Sequence, residues 1–388
     1  MGLLFLKNFQ TLQLDIVGFL AILGEASVLA NAQAASLSYF SCVPRLIPAP
    51  QALIRTTRPE RLKASTGKVV GSHSGGIRHE INHVAHILHQ RHKLEAYEVR
   101  CIKVKKNPEG SPVTSSRWGP LTWLSLLGCA FSIALVVLAA VLNDGMSLLA
   151  TILLSFLSSI IGIGSKWTLT LPKRKANRAV PRADVVISYP NGSFLIVQCD
   201  ESIARELYWA PEKCDYMVNE KTYLLISLVG TMILMFGVIA LANATIPLQI
   251  AVAAAYIVLN VAYWSVAALP SRLHWDLSSY IVEPQHYVGE KEGNDNFTAA
   301  LWKAIAITRS VEWAIIANIA PSSRGWKEWL EEAAQMAELE AIRTDPATHQ
   351  RILPVWDCQK ALDGYLIPDS DKQSEILDGS HGKPIEMV

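Results

Sequence analysis

Charge is the scarce ingredient of this chain. Asp, Glu, Lys and Arg supply 18% of its 388 residues, while hydrophobic residues reach 51%. A soluble domain carries about a quarter charged residues. The shortfall excludes an intrinsically disordered protein and argues against an ordinary cytosolic enzyme. A surplus of one sign is also missing. The 35 basic residues meet 34 acidic ones, so the balance argues against a dedicated nucleic-acid binder. Six cysteines make no disulfide scaffold. No phosphate loop, dinucleotide fingerprint or G-x-S-x-G elbow occurs.

What the chain has instead is four long apolar runs: Leu121 to Leu142, Met146 to Gly164, Tyr223 to Ala242, and Leu248 to Leu269. Each approaches the roughly 20 apolar residues that a bilayer crossing requires. None contains Asp, Glu, Lys, Arg or His. A helix buried in a soluble core normally keeps a polar face, and these have none. The reading is a mainly α, polytopic membrane protein with four transmembrane helices. Asn143-Asp144-Gly145 joins the first two runs and residues 243–247 join the last two. Turns this short impose two antiparallel hairpins. Small residues four apart (Gly128 and Ser132, Ser158 and Gly162, Ala251 and Ala255) favour close helix approach in lipid.

The basic residues avoid both tight turns. Fifteen lie before residue 119, nine between 165 and 222, and eleven after 269. Basic residues near helix ends stay on the cytosolic side. Both termini and the middle loop are therefore expected in the cytosol. Ile16 to Leu23 followed by Ala30-Asn31-Ala32 has the outline of a signal peptide, but Asp15 and Glu25 flank it. An interfacial or packed helix is the preferred reading, with a signal peptide or fifth span as alternatives. Aromatics at the run ends, Trp118, Trp123, Trp167, Tyr223, Tyr263, Trp264 and Trp275, read as interface anchors.

The expected organisation is linear. A basic N-terminal region, 1–118, precedes the first hairpin, 119–164. A cytosolic loop, 165–222, carries a β-hairpin at Val185–Tyr189 and Phe194–Cys199 across Pro190-Asn191-Gly192. A short helix, Ile203 to Trp209, follows. The second hairpin, 223–269, leads to an acidic helical region, 270–368, and a polar tail, 369–388, expected to be disordered. Within the acidic region, residues 297–320 place Phe297, Leu301, Ala304, Thr308, Val311, Ile315 and Ile319 on one stripe, and Trp326 to Arg343 reads as a charged helix. Fifteen basic residues face seven acidic ones before the first run, and eleven face nineteen after the fourth, which predicts contact between the two regions.

Residues Tyr189 to Glu212, the third and fourth runs, His274-Trp275-Asp276 and Lys327-Glu328-Trp329-Leu330 together resemble a family of uncharacterised fungal multi-pass membrane proteins. The resemblance covers most of residues 180–360. It implies a multi-pass topology and brings no activity, cofactor or catalytic residue.

One motif could carry chemistry. His79-Glu80-Ile81-Asn82-His83 reads H-E-x-x-H, and His86, His89 and His92 follow. On a helix, His79, His83 and His86 would share one face and could hold zinc, with Glu80 as a general base. A metzincin comparison fails, because His86 replaces the turn glycine and no Met-turn follows. With five His in fourteen residues the motif arises easily by chance, so a solvated His-rich face is the preferred reading. Asp200, Glu201, Glu206 and Asp215 could act in acid/base or Ca²⁺ chemistry, but read first as solvated or capping groups. Cys199 and Cys214 read as reduced thiols. The expectation is therefore a non-enzymatic scaffold, adaptor or regulator with no obligatory cofactor. Its partners would be the bilayer and a protein bound through the cytosolic regions, with a possible homo-oligomer and no nucleic acid. An oligomeric transporter or channel lined by Ser155, Ser158, Ser159, Asn243 and Asn260 is one alternative. A zinc-binding protein or metalloprotease at His79, His83 and His86 is the other.

Overall fold

The computed structural model describes residues 25–89, 94–171, 181–285, 287–288, 294–339, 343–344, 351–353 and 355–366. The apolar stretch 16–23, His92, the basic run 173–175 and the tail from 369 lie outside the described residues.

The fold is mainly α with small sheets, and it divides into two compact units. Each unit draws on three stretches of chain rather than on consecutive blocks. The first takes Met1–Leu62, Pro108–Thr170 and Glu212–Ser279; the second takes Lys63–Asn107, Leu171–Pro211 and Tyr280–Val388. The expected N-terminal block 1–118, the loop 165–222 and the acidic region from 270 are each shared between the two.

The first unit is built on four helices long and apolar enough to cross a membrane: Pro120–Val141, Gly145–Gly164, Glu220–Ala242 and Ile246–Ala268. Proline in the first turn opens the first and fourth, where its missing N–H costs nothing. Asp144 opens the second by accepting from the amides of Met146 and Ser147, both at 3.0 Å. Its other oxygen accepts the Thr245 amide at 2.7 Å, so one carboxylate ties the two tight turns together. These donors, Thr245 foremost, hold the Asp144 carboxyl below the ordinary carboxylate range. Gln249 closes the other side, donating to the carbonyls of Leu241, Ala242 and Ala244 at the end of the third helix.

The N-terminal stretch enters this bundle. Helix Glu25–Ala30 packs on the fourth long helix, with Ser27 donating to Asn260 at 3.5 Å. Beyond a second short helix, Ala32–Leu37, the chain runs in extended form through Val43-Pro44-Arg45-Leu46-Ile47-Pro48. The Arg45 amide donates to Ser158 Oγ at 3.0 Å and the Leu46 amide to Ser132 Oγ at 2.9 Å. Ser155 donates to Ser132 at 2.9 Å and completes the set. Leu46, Ile47, Ala49 and Ala52 are buried with Leu124, Leu135, Leu154, Val252 and Leu259 of the long helices. Ser132 stands at the middle of its helix, roughly 18 Å from the start at about 1.5 Å per residue.

The small residues expected to bring helices together therefore admit a loop. A Cβ on Gly128 would lie 2.6 Å from the Leu46 carbonyl oxygen, and one on Gly162 would lie 2.1 Å from that of Ser41. Both neighbours are backbone and cannot swing aside. We expect Gly162→Ala to lower stability in detergent by about 1–3 kcal/mol, the usual cost of overpacking, by thermal unfolding. Gly145→Ala, which meets nothing within 4 Å, is the neutral control.

The second unit contains a six-stranded sheet. Its strands in chain order are β1 Ser65–Gly71, β2 Ile77–Ile81, β3 Val99–Lys106, β4 Val185–Ser188, β5 Phe194–Gln198 and β6 Tyr280–Gln285. The spatial order is β6-β3-β5-β4-β1-β2. Only β3 and β5 run parallel; the other neighbours are antiparallel. The expected hairpin is present as β4–β5, with Gly192 at φ +77° in its turn. It is no isolated element, since β5 is buried at every position and forms the middle of the sheet. The expected meeting of N- and C-terminal regions occurs here through β3–β6 pairing, reinforced by Lys105 and Glu283 at 2.8 Å.

Helices cover the sheet. Phe297–Thr308 is buried at nearly all positions and packs on β3 and β5. The expected continuous helix 297–320 stops at Arg309, which takes φ +54° as a left-handed C-cap, and resumes at Glu312–Ile316. It lies against the sheet rather than forming one amphipathic stripe. Helices Arg324–Leu339 and Cys358–Leu366 pack beside it. A run of ring contacts links Phe194, Phe297, Trp326, Trp329 and Trp356. Trp329 is fully buried and donates to the Cys358 carbonyl at 2.8 Å, as a buried indole requires.

Candidate functional site: an arginine-lined cavity

The H-E-x-x-H motif does not lie on one helix. His79 and Glu80 occupy the edge strand β2, where Glu80 pairs with Thr66, and both are exposed. The helix starts only at His83 and runs to His89. His83 and His86 therefore share a helix, and His79 is held apart by strand geometry. Asn82, between strand and helix, explains the break. Its amide donates to the carbonyls of Leu207 and Ala210 at 2.8 Å, and its oxygen accepts Arg78 at 2.8 Å. The motif thus caps the Glu201–Trp209 helix, whose last turn is a π-turn. His83 Nδ1 lies 3.1 Å from the Lys63 carbonyl, and buried His89 bonds Tyr208 at 2.8 Å. Among the described residues no three His, Cys, Asp or Glu side chains gather around a common point for a metal.

Burial lowers the His83 pKa, helped by His86 and opposed by the Lys63 carbonyl; burial alone lowers that of His86. The unfolded chain then binds more protons than the folded one below the ordinary His value of about 6.5. Stability rises with pH across that window and is lost as pH falls through it. We expect the unfolding midpoint of the full chain to drop between about pH 7.5 and 5.5, with a weaker dependence in His83→Gln, by pH-dependent thermal melts. Elemental analysis checks the metal reading separately. The strand position of His79 predicts no stoichiometric zinc and an unchanged midpoint in His79→Ala.

The other singled-out groups have local uses. Glu201 pairs with Arg205 at 2.8 Å and buried Glu206 with Lys106 at 2.7 Å. Asp215 bonds Thr170 on the ribbon Trp167–Thr170/Lys213–Tyr216. Burial, with nearby carboxylates, pushes the Cys199 and Cys214 thiols up to about 12, which keeps them protonated and unreactive.

A cavity of about 290 Å³ lies within the first unit. Its walls come from the N-terminal stretch, the last turns of the second long helix, the span-end aromatics Trp167, Tyr223 and Tyr263, and Tyr216 of the ribbon. Of the expected interface anchors, Trp118, Trp123 and Trp264 are exposed, whereas Trp167, Tyr223 and Tyr263 are buried and line this space. Val28, Leu29, Ile47 and Ile161 add apolar surface, and Gln33, Ser36, Ser41, Thr57, Ser158 and Ser165 add polar side chains.

Three arginines enter the wall: Arg45, Arg55 and Arg58. Arg45 is 6% exposed; its Nη1 donates to the carbonyls of Phe40 at 2.6 Å and Ser41 at 3.2 Å, while Nε has no hydrogen-bond partner. Arg58 donates to the carbonyls of Gly164 at 2.9 Å and Val218 at 2.8 Å. Its guanidinium also stacks over Tyr216 at 4.1 Å and Tyr223 at 4.4 Å. Burial pushes the Tyr216 hydroxyl up to about 12, against the pull of Arg58. Arg55 gives only its Nε, to the Ala52 carbonyl at 3.2 Å. No ion pair joins these three to a carboxylate among the described residues.

No family model, curated protein or solved structure matches this chain. Its functional reading therefore rests on its own residues. Sequence reasoning missed the cavity, because Arg45, Arg55 and Arg58 counted only as topology signals. The signal available was the Pro44-Arg45 and Pro48-Ala49-Pro50 sequence, which breaks helices beside an arginine-bearing extended stretch.

Proposed function

We propose that the protein is an integral multi-pass membrane protein without enzymatic activity, a scaffold or regulator whose α/β unit engages a protein partner. The observation that carries this reading is the self-filled bundle. Ser155 and Ser158, which would have lined a conduit, are bonded instead to Ser132 and to the inserted Arg45 amide. Asn260 accepts from Ser27, and the Asn243 amide caps its own helix at the Ile239 carbonyl. Ser159 is buried too, its Oγ without a partner among the described residues; four of the five groups are committed in this way, which favours a closed anchor over a pore. The absence of any ionisable residue from the four apolar runs is in keeping, since charges inside a membrane mark ion and proton paths. Both termini and the 165–222 loop are assigned to the cytosol on the distribution of Lys and Arg.

Three measurements test this. The protein stays in the pellet after alkaline carbonate extraction, and its release into the supernatant would end the membrane reading. A reporter fused after Arg182 is cytosolic and one at Gly145 is not. Proteoliposomes at verified protein density show no conductance; a current abolished by Ser155→Leu would favour the channel alternative.

A further inference from the structure

We propose that the arginine-lined cavity binds the phosphate headgroup of an anionic glycerophospholipid. The inference rests on the membrane reading above and deepens it by naming a ligand class. Three features converge on one small space. The first is uncompensated charge. Three guanidinium groups line a single cavity, and among the described residues no carboxylate is paired to any of them. A charge as buried as Arg45 is costly unless an anion or several acceptors satisfy it. Its guanidinium meets the carbonyls of Phe40, Ser41 and Val43 and the Tyr263 hydroxyl, but its Nε has no partner among the described residues at 6% residue exposure.

The second feature is geometry. Arginine presents five N–H donors in a planar fork suited to phosphate oxygens. Arg58 spends two of them on Gly164 and Val218, and the rings of Tyr216 and Tyr223 fix its plane. Arg55 spends one. Most donors of the trio thus stay available; Arg45 and Arg58 are held in place, and Arg55 is an exposed side chain at the rim. A ligand then meets a site preorganised at Arg45 and Arg58.

The third feature is place. The cavity lies where the second long helix ends, at Ser158, Ile161 and Gly162, and where the third begins, at Tyr223. That is headgroup depth for helices crossing a bilayer. The apolar part of its wall, Val28, Leu29, Ile47 and Ile161, gives the glycerol and first methylenes of a lipid a surface to cover, for which a free phosphate has no use. At about 290 Å³ the space takes a headgroup and the start of the chains, not two whole acyl chains. A phosphoryl anion is the shared chemistry of lipid and inorganic phosphate, and the apolar wall argues for the lipid.

The test uses the full-length protein in a mild non-ionic detergent. Native mass spectrometry follows titration with dioleoyl phosphatidylglycerol, dioleoyl phosphatidylcholine and, separately, inorganic phosphate. We expect phosphatidylglycerol to be retained about tenfold over phosphatidylcholine, the effect of roughly one charge-assisted contact, with inorganic phosphate failing to displace it. Arg58→Gln and Arg55→Gln each bring the preference down to near parity. Arg45→Gln also removes the bonds to Phe40 and Ser41, so the Arg55 variant, which gives up only the Ala52 carbonyl, guards against misfolding. Lys327→Gln, an exposed charge in the other unit, leaves the preference unchanged. Equal retention of both lipids, no effect of Arg55→Gln and Arg58→Gln in folded protein, or loss of preference in Lys327→Gln would overturn the site. Inorganic phosphate that binds alone and displaces the lipid would make this a free-anion site and overturn the lipid assignment. Protein that needs no detergent fails the membrane reading instead, a result the carbonate extraction detects independently.

Discussion

The first unit depends on where the amides of Arg45 and Leu46 find their acceptors. An extended stretch makes no hydrogen bonds within itself, and an unpaired amide buried among apolar helices costs several kcal/mol. Helices and closed barrels solve this internally; irregular chain at membrane depth survives only where protein surrounds it and supplies partners. Here Ser132 and Ser158 supply them, from two adjacent helices. Gly128 and Gly162 clear the path, since a methyl group at either would run into the carbonyl of Leu46 or Ser41. Four residues of two helices thus fix the position of a loop. The loop in turn carries Arg45 into the interior and brings Arg55 and Arg58 to the bundle's end.

This arrangement accounts for what could be read in advance and what could not. The four long helices follow from composition alone, because their apolar runs carry no ionisable residue. The tight turn at Asp144 was equally plain, although its bond to Thr245 was not, since that contact joins residues 101 apart. The inserted stretch was hidden by ambiguity. Gly128/Ser132 and Ser158/Gly162 look the same whether they receive a helix or a loop. Only the loop's own prolines, Pro44, Pro48 and Pro50, distinguish the cases, and the apolar pattern of the helices does not reveal them.

The second unit illustrates a different blind spot. β4 and β5 announce themselves as a local hairpin, but the partners of the central strand β5 are β4 and the distant β3. Local pattern cannot foresee a neighbour some ninety residues away. The histidine motif failed for a related reason. Its spacing fits a helix, yet Ile77 and Ile81 frame a strand, and Asn82 marks the point where strand gives way to helix. A spacing rule assumes the secondary structure that it is used to find. The span-end aromatics divided in the same way: Trp118, Trp123 and Trp264 point outward as anchors do, whereas Trp167, Tyr223 and Tyr263 turn inward and wall the cavity.

The interleaved chain has a consequence for the order in which the molecule can be completed. β1 and β2 can pair with each other at once, but the other neighbour of β1 and both neighbours of β3 leave the ribosome much later. β4 and β5 emerge only after the first two long helices have been synthesised, and β6 with the covering helices only after all four. During that interval Val69, Val70, Cys101 and Ile102, all buried in the finished sheet, lack the strands and helices that cover them there. A sheet closed by late, distant strands carries the loop-closure penalty of non-local topology. The second unit is therefore a late assembly whose timetable is set by the helices between its parts, and a chain stopped anywhere before residue 280 leaves its sheet without an edge and its core uncovered.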